Sequence, residues 1–270
     1  MPACPVTLHS ARWPWVASAS VVAGRWAELT SWGVRISNEQ LTGLSSRIEL
    51  LVQWMHEADR IIVFTGAGIS TDSGLPDFRG PDGVWTRKDK GLPPKDAKQD
   101  WTKSEPNVAH HAVVDLQRMG KLDFVISQNI DNLHLSSGIE FALLAELHGN
   151  LARVRCTRCE RTYPKSDEAQ ECECGGAFKS SVVGFGDSLP TDDLNTSFDR
   201  AALCDLMIVI GSSLVVTPAA DIPHVAFEAG ARLVIINRGE TPLDRLAHLL
   251  FEEGIADVFP PAVEKLKQLG

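Results

Sequence analysis

The spacing of the apolar residues changes near Asn38, and this change predicts where a folded domain begins. Beyond that point apolar residues recur mostly at intervals of three and four, the period of an amphipathic helix, at Leu41, Leu44, Ile48, Leu51, Val52 and Met55. A short run rich in Ile and Val follows at residues 60–65 and ends at Gly66. Such a run is typical of a strand that is buried on both faces, as in a parallel sheet.

Three further runs of the same kind occur later in the chain, and helical patterns separate them. They lie at residues 124–127, 206–211 and 233–237. Strands that alternate with helices predict an α/β fold, in which helices cover both faces of a doubly wound parallel sheet. We therefore expect a Rossmann-like domain that binds its ligands outside the carboxyl ends of the strands.

Residues 1–37 differ from the rest of the chain. They hold four of the seven tryptophans and a single acidic residue, Glu28. Secretion is not expected, because no basic segment comes first and because Arg12 and Pro14 interrupt any apolar core. The acid-poor composition fits a transit peptide better. The interpretation we favour is an extension that packs on the domain surface, or a misassigned start.

Composition and charge narrow the classes of function. The chain has 270 residues, of which 44% are hydrophobic and 23% charged, as in an ordinary globular protein. Its formal net charge of −9 argues against general electrostatic binding of nucleic acid. No run of 18 apolar residues occurs, so we expect no membrane-spanning helix. No basic run resembles a nuclear localisation signal. We therefore expect a cytoplasmic protein, and a nuclear location remains an alternative.

Four of the six cysteines are clustered in a pattern typical of a zinc site. Two residues separate Cys156 from Cys159, and Cys172 and Cys174 follow after twelve more residues. Four thiolates on two short turns suit tetrahedral Zn²⁺ and leave no open position, so the zinc would be structural. Residues 151–181 are polar, and the metal would supply much of their folding energy. Two disulfides are the alternative, but they require an oxidising compartment.

Polar and glycine residues follow each predicted strand. Gly66-Ala67-Gly68 would let the backbone approach a diphosphate, although Thr71 stands where a dinucleotide fingerprint has its third glycine. A turn without a ligand would explain this motif taken alone. Polar residues also lie at 77–79, 128–131, 211–213 and 237–239. Together they predict a nucleotide site at the carboxyl edge of the sheet.

Seven motifs carry a family resemblance. They are Gly66-Ala67-Gly68-Ile69-Ser70, Asp77-Phe78-Arg79-Gly80, Gln128-Asn129-Ile130-Asp131, His148-Gly149-Asn150, the four cysteines, Val182-Val183-Gly184-Phe185-Gly186-Asp187 and Gly211-Ser212-Ser213. In order and spacing they resemble the sirtuins, the silent-information-regulator family of NAD-dependent protein-lysine deacylases. The similarity runs from about Gln40 to Gln268, and residues 78–86 resemble the class IV branch, that of sirtuins six and seven.

The resemblance implies a division of the chain and a reaction. Residues 38–150 and 182–270 would form the NAD-binding domain, and residues 151–181 an inserted zinc-binding module. The enzyme would transfer an acyl group from a protein lysine to NAD, yielding nicotinamide, O-acyl-ADP-ribose and free lysine. Its partners would be acyl-lysine proteins or peptides. Its cofactors would be NAD and one structural Zn²⁺ per chain.

The resemblance also implies the roles of individual residues. His148 would act as general base toward a ribose hydroxyl, and Asn129 and Asp131 would hold the nicotinamide carboxamide and its ribose. Val183, Gly184, Phe185 and Gly186 would bind the peptide as an extended strand. Residues implied to bind the cofactor are Gly66, Ala67, Gly68, Ile69, Asp77, Phe78, Arg79, Gln128, Asn129, Ile130, Asp131, Gly211, Ser212, Ser213, Asn237, Arg238, Gly239 and Ala256.

Departures from the family pattern leave the acyl preference open. Asp187 stands where the family commonly has Glu or Gln, and Asn132 where it commonly has Gly. Tyr163 is the single tyrosine and lies in the cysteine module. The Tyr and Arg pair of desuccinylating sirtuins is therefore absent, and we expect neutral acyl groups: acetyl, or longer chains.

Two other functions remain as alternatives. A protein nucleophile or water could capture the same ribose carbon, which would make the enzyme a mono-ADP-ribosyltransferase or an NAD hydrolase. The chain could also be a non-catalytic sensor of NAD or ADP-ribose. The presence of both His148 and Asn129 argues against the sensor, whereas an intact His148 does not exclude transfer or hydrolysis. The deacylase is favoured because every catalytic position is filled.

Overall fold

The computed structural model describes residues 43–80, 83–93, 101–166, 171–184 and 186–270. Three predictions concern residues outside these ranges. They are the extension at residues 1–37, the start of the first helix near Asn38 and the peptide-binding residue Phe185. None of the helices in the described ranges is long and apolar enough to cross a membrane.

Helices and strands alternate along the first half of the chain. They are α1 (Leu44–Glu57), β1 (Ile61–Thr65), α2 (Val84–Asp89), α3 (Val108–Arg118), β2 (Leu122–Ser127), α4 (Leu133–Ser137) and β3 (Leu144–Glu146). Short 3₁₀ helices occupy Ala67–Ser73, Trp101–Lys103 and Phe141–Leu143.

Three strands without intervening helices come next, and the alternation then resumes. The elements are β4 (Arg153–Cys156), β5 (Thr162–Pro164), β6 (Phe178–Ser180), α5 (Thr191–Ala201), β7 (Leu206–Ile210), α6 (Asp221–Glu228), β8 (Arg232–Ile236), β9 (Leu249–Phe251) and α7 (Ile255–Gln268).

Six parallel strands form the main sheet in the order β3-β2-β1-β7-β8-β9. Counted within this sheet, the order is 3-2-1-4-5-6, that of a dinucleotide-binding domain. Val63 of β1 pairs with Val125 of β2 on one side and with Ile208 of β7 on the other. The predicted doubly wound, Rossmann-like α/β fold is therefore confirmed.

The central strands are buried on both faces because helices cover the sheet on each side. Ile61 and Val63 pack in a cluster with residues of α1, α3 and α7. Ile62 and Phe64 point the other way and pack with residues of α5 and α6. Alternate residues of one strand thus serve two cores, which explains the continuous apolar runs in the sequence.

The prediction of four strands for this sheet was incomplete. The edge strands β3 and β9 were missed, because each has three residues and no periodicity can be recognised over so short a stretch. The predicted strand at 124–127 begins two residues earlier, at Leu122. The predicted run at 206–211 ends at Ile210, since Gly211 has a left-handed φ of 64°.

The second sheet is small and antiparallel, in the order β5-β4-β6. Its three strands lie within the residues predicted to form the zinc-binding module. In the described part of residues 151–180, the buried residues are Arg155, Cys156, Cys172 and Gly176. No aliphatic or aromatic side chain is buried in that part of the chain, so apolar burial contributes little to its stability.

Candidate active site and metal centre

The loops after β1 and β7 meet at the point where the strand order reverses, which is where such sheets bind ligands. The backbone N–H of Gly68 donates to the carbonyl oxygen of Gly211 over 2.9 Å. A Cβ atom on Gly68 would lie 2.6 Å from the Cα of Gly211. These glycines therefore allow the two loops to pack backbone against backbone, in addition to any approach of a diphosphate.

Asn129 lies just beyond β2, and its side chain points toward the loop after β1. Its Nδ2 donates to the carbonyl oxygen of Gly66 and to Oγ of Ser70, each over 3.2 Å. Its backbone N–H donates to Oγ of Ser127. The side chain is 8% exposed, and its Oδ1 accepts no hydrogen bond from the described residues. This fixed oxygen can accept a hydrogen bond from a ligand amide.

Asp131 is held at both carboxylate oxygens. Its Oδ1 accepts the backbone N–H of Leu133 at the start of α4, over 2.9 Å. Its Oδ2 accepts from Oγ of Ser70 over 2.7 Å. Ser70 therefore links Asn129 with Asp131, which fixes the relative orientation of these two predicted catalytic residues.

His148 follows β3, and its Nδ1 lies 2.8 Å from the carbonyl oxygen of Gln128. Because a carbonyl oxygen only accepts, this bond places a proton on Nδ1 and leaves the lone pair on Nε2. Burial lowers the pKa of His148 below its ordinary value, and the Gln128 carbonyl partly opposes this effect. The ring is therefore neutral at neutral pH and suited to accept a proton at Nε2.

Gln128 and Ser212 join the loops after β2 and β7. Nε2 of Gln128 donates to Oγ of Ser212 over 2.7 Å. Ile69 is buried, and it follows the glycine turn after β1. The predicted residues at 66–69, 128–131, 148 and 211–213 thus form one connected group at the carboxyl edge of the sheet.

The predicted adenosine-binding residues lie beyond β8 and at the start of α7. Asn237 is buried, and its Nδ2 donates to the carbonyl oxygen of Gly239 over 2.9 Å. Arg238 and Gly239 are exposed, and Ala256 is half-buried in the first turn of α7. The backbone N–H of Gly211 donates to the carbonyl oxygen of Ile236, which connects this end to the rest of the group.

Residues 77–79 lie in the loop that follows the 3₁₀ helix at Ala67–Ser73. Oδ1 of Asp77 accepts the backbone N–H of Gly80 over 3.1 Å, so this carboxylate shapes the turn. Phe78 is 38% exposed and stacks against Trp85, with ring centroids 6.4 Å apart. Arg79 is exposed. Contact of Asp77, Phe78 and Arg79 with a cofactor stays a prediction.

The described residues of the predicted peptide-binding segment are not part of a β-strand, because β6 ends at Ser180. The backbone N–H of Val183 donates to the carbonyl oxygen of His148 over 3.0 Å. Gly184 donates its N–H to Oδ2 of Asp187, whose own N–H returns to the carbonyl oxygen of Gly184. Gly184 and Gly186 are exposed beside the His148 loop, and peptide binding there stays a prediction.

The sulfurs of Cys156, Cys159, Cys172 and Cys174 all lie within 4.8 Å of one another. Two pairs are separated by 3.4 and 3.6 Å. Tetrahedral zinc with Zn–S bonds of about 2.3 Å places its sulfurs about 3.8 Å apart. The backbone N–H groups of Arg158 and Cys159 also point at Sγ of Cys156. The four cysteines are thus positioned to hold one structural zinc ion, as predicted.

Two histidines behind the site are structural. Nε2 of His134 lies 2.9 Å from Oγ1 of Thr65, and its ring packs 5.2 Å from that of His110. Burial lowers the pKa of His134 to about 4 and that of His110 to about 3. Both rings are neutral, and they pack beneath the loop that carries Asp131.

Sequence reasoning missed three polar residues that organise this group. Ser70 and Ser127 hold Asn129 and Asp131, and Nδ2 of Asn107 donates to the carbonyl oxygen of Ile69 over 2.7 Å. Ser70 belongs to the glycine motif and Ser127 ends a predicted strand, so both were visible as residues. Their hydrogen-bond partners lie far away in the sequence and could not be assigned from it.

The chain is similar to proteins of known family. A profile described as the Sir2 family matches residues 94–218. An NAD-dependent protein deacetylase of Rhodopseudomonas palustris is 39% identical over 246 residues, which cover 82% of this chain and 97% of that protein. The chain belongs to the Sir2 family. The resemblance to sirtuins is thereby confirmed, while the class IV branch stays a prediction.

Other relatives agree with this placement of the sirtuin. The NAD-dependent protein deacetylase SRT1 of Oryza sativa subsp. indica is 39% identical over 228 residues, and the match spans 79% of this chain but only 47% of the rice protein. A solved Sir2 structure containing a p53 peptide and NAD⁺ superposes with a TM-score of 0.66 at 34% identity, covering 83% of this chain and 99% of that one.

Proposed function

We propose that this sirtuin is an NAD-dependent protein-lysine deacylase that removes neutral acyl groups, acetyl or longer. Two relatives, matched over 97% and 96% of their own length and 82% of this chain, are named NAD-dependent protein deacetylases. A related Sir2 structure contains a p53 peptide together with NAD⁺, which supports a protein or peptide as the second substrate.

One observation carries the proposal: the His148 imidazole is held in its neutral form by the carbonyl oxygen of Gln128, the residue that precedes Asn129. Its Nδ1 is bonded to the Gln128 carbonyl, so Nε2 is the atom that can accept a proton. Burial keeps its pKa low enough for the ring to be unprotonated at neutral pH. A sensor without catalysis would not require this arrangement.

The residues at the sheet edge suit NAD. When bound, NAD supplies the bond between nicotinamide and ribose that breaks, and a ribose oxygen that receives the acyl group. Oδ1 of Asn129 would accept an N–H of the carboxamide. Nε2 of His148 would take the proton of a ribose hydroxyl. Ile69 and Phe78 would exclude water, which otherwise competes for the same ribose carbon.

The test is release of nicotinamide from NAD by the zinc-loaded enzyme, with and without acetyl-lysine and myristoyl-lysine peptides, while the peptide mass is followed. We expect one nicotinamide per deacylated peptide. His148→Ala should lower the rate of deacylation by about 10²–10⁴-fold, because a positioned base contributes about that much. His111, which is exposed and outside the site, offers the matched control His111→Ala with the wild-type rate.

Other results would favour the alternatives. Nicotinamide release without any change in peptide mass would indicate ADP-ribosyl transfer or hydrolysis. NAD binding without release would leave a sensor. Equal activity of His148→Ala and wild type would refute the role of the imidazole.

A further inference from the structure

Asn132 adopts a backbone conformation that is unusual for a residue with a side chain. It follows Asp131 directly and has a left-handed conformation, with φ 67° and ψ 6°. Glycine adopts such angles most easily. Although Asn132 precedes α4, its side chain makes no capping hydrogen bond to that helix.

The amide of Asn132 bonds to the segment that carries His148. Oδ1 of Asn132 accepts from Nδ2 of Asn150 over 2.9 Å. Its own Nδ2 donates to Oγ of Ser136 within α4. A second bond joins the same two segments, from the backbone N–H of Leu151 to the carbonyl oxygen of Ile130, over 2.8 Å. Asp131 therefore lies between two links to the His148 segment.

Asn150 is held firmly enough to transmit this restraint. It is 1% exposed, and its Nδ2 also donates to the carboxyl group of Glu146, in a short hydrogen bond. Its Oδ1 accepts the backbone N–H of Ala152, and its backbone N–H and carbonyl oxygen both bond to Oγ of Ser181. Both atoms of the side-chain amide are bonded, so the Asn150 side chain has one orientation.

We propose that Asn132, through its hydrogen bond to Asn150, is a positioning residue that fixes the Asp131 segment against the His148 segment. The inference rests on the proposed function, in which these two segments act on the same ligand. A loosened link would leave both segments folded but would spread the distance between them. Misplacement of about 1 Å can cost about a hundredfold in rate.

The variant that tests this is Asn132→Gly, in the full-length, zinc-loaded chain. Glycine suits the left-handed backbone, so the thermal unfolding midpoint should stay the same or rise. We expect kcat for deacylation to fall by between about tenfold and a hundredfold. The KM values for NAD and peptide should change less than about twofold, because ground-state contacts remain. Amide exchange at Leu151 should become faster.

A matched control is Ser136→Ala, which removes the other partner of the Asn132 amide but not the link to Asn150. It should keep kcat within about twofold of wild type. A wild-type kcat in Asn132→Gly would overturn the proposal, as would a fall of the same size in Ser136→Ala. An unfolding midpoint that drops together with kcat would also overturn it, since the loss would then be structural.

The same measurements separate this inference from the proposed function. If wild type deacylates and His148→Ala does not, the deacylase stands and Asn132→Gly alone decides the role of Asn132. If wild type fails to deacylate, the proposed function fails and the catalytic purpose of Asn132 fails with it. Exchange at Leu151 would then report only whether the link restrains the two segments.

Discussion

The six-stranded parallel sheet and the small antiparallel sheet differ in the side chains that they bury. Every side chain of β1 and β7 is buried, and all but one are apolar. The described part of residues 151–180 buries two cysteines, an arginine and a glycine. The first region is stabilised by the hydrophobic effect. The second has the composition of a unit that a metal ion holds together.

This difference affects the candidate site, because the two regions meet at His148. The small sheet begins at Arg153 and ends at Ser180. The backbone of Val183, just past it, donates to the carbonyl oxygen of His148. A Cβ atom on Gly149 would lie 2.0 Å from the carbonyl oxygen of Ser181, so the two ends of the module pack closely. A zinc ion held by the four cysteines would therefore support the His148 loop indirectly, through the small sheet.

The largest expected effect comes from removal of one metal ligand. Cys172→Ala should lose bound zinc and unfold the small sheet, since structural zinc contributes on the order of 10 kcal/mol to such modules. Deacylation should fall by more than about a hundredfold, because the His148 loop loses its support. Zinc content, activity and far-ultraviolet circular dichroism measure these effects. The helical signal should remain, because the main domain keeps its core.

Cys204→Ala is the matched control for that experiment. Cys204 is buried and outside the four-cysteine cluster. This variant should keep one zinc per chain and its activity. Zinc loss from the control, or full activity of Cys172→Ala, would refute the division between a metal-held module and an apolar domain.

Truncation of an apolar side chain should cost more stability in the parallel sheet than in the small sheet. Ile208→Ala in β7 should lower the free energy of unfolding by about 2–5 kcal/mol, the usual cost of a cavity in a packed core. Val154→Ala in β4, where the side chain is half-buried, should cost less than about 1 kcal/mol. Urea unfolding in the presence of zinc compares them. Equal costs would mean that the small sheet has an apolar core after all.

The smallest effect concerns the boundary between the regions, where Glu146 lines a cavity of about 470 Å³. Burial raises the pKa of Glu146 to about 7, while the Asn150 hydrogen bond and Arg153 act in the opposite direction. Asp193 and Asp131 raise it further. The folded chain then binds more protons than the unfolded one between pH 4.5 and about 7, so stability falls as the pH rises through that range.

Glu146→Gln should remove this pH-dependent loss while keeping an oxygen acceptor for Asn150. Relative to wild type, its free energy of unfolding should rise between pH 5 and pH 8, by on the order of 3 kcal/mol at most. Urea unfolding at both pH values measures the change. If the free energies of unfolding of wild type and variant differ by the same amount at pH 5 and at pH 8, Glu146 is ionised throughout that range.

Local patterns in the sequence were sufficient for much of the fold and the site. The runs that became β1, β2, β7 and β8 were recognisable because strands buried on both faces are continuously apolar. The four cysteines were recognisable because metal ligands occur at short, fixed spacings. The edge strands β3 and β9 were not recognisable, since three residues carry too little periodicity.

The sequence by itself determined the family, the parallel α/β sheet, the zinc ligands and the identity of the residues at the strand ends. Only the tertiary structure decided how those residues are held. Ser70 bonds to Asp131, Gln128 sets the protonated nitrogen of His148, and Asn132 bonds to Asn150. The physical reason is separation along the sequence. Periodicity and metal-ligand spacing involve residues that are close together in the chain, whereas these hydrogen bonds join segments that only the folded sheet brings together.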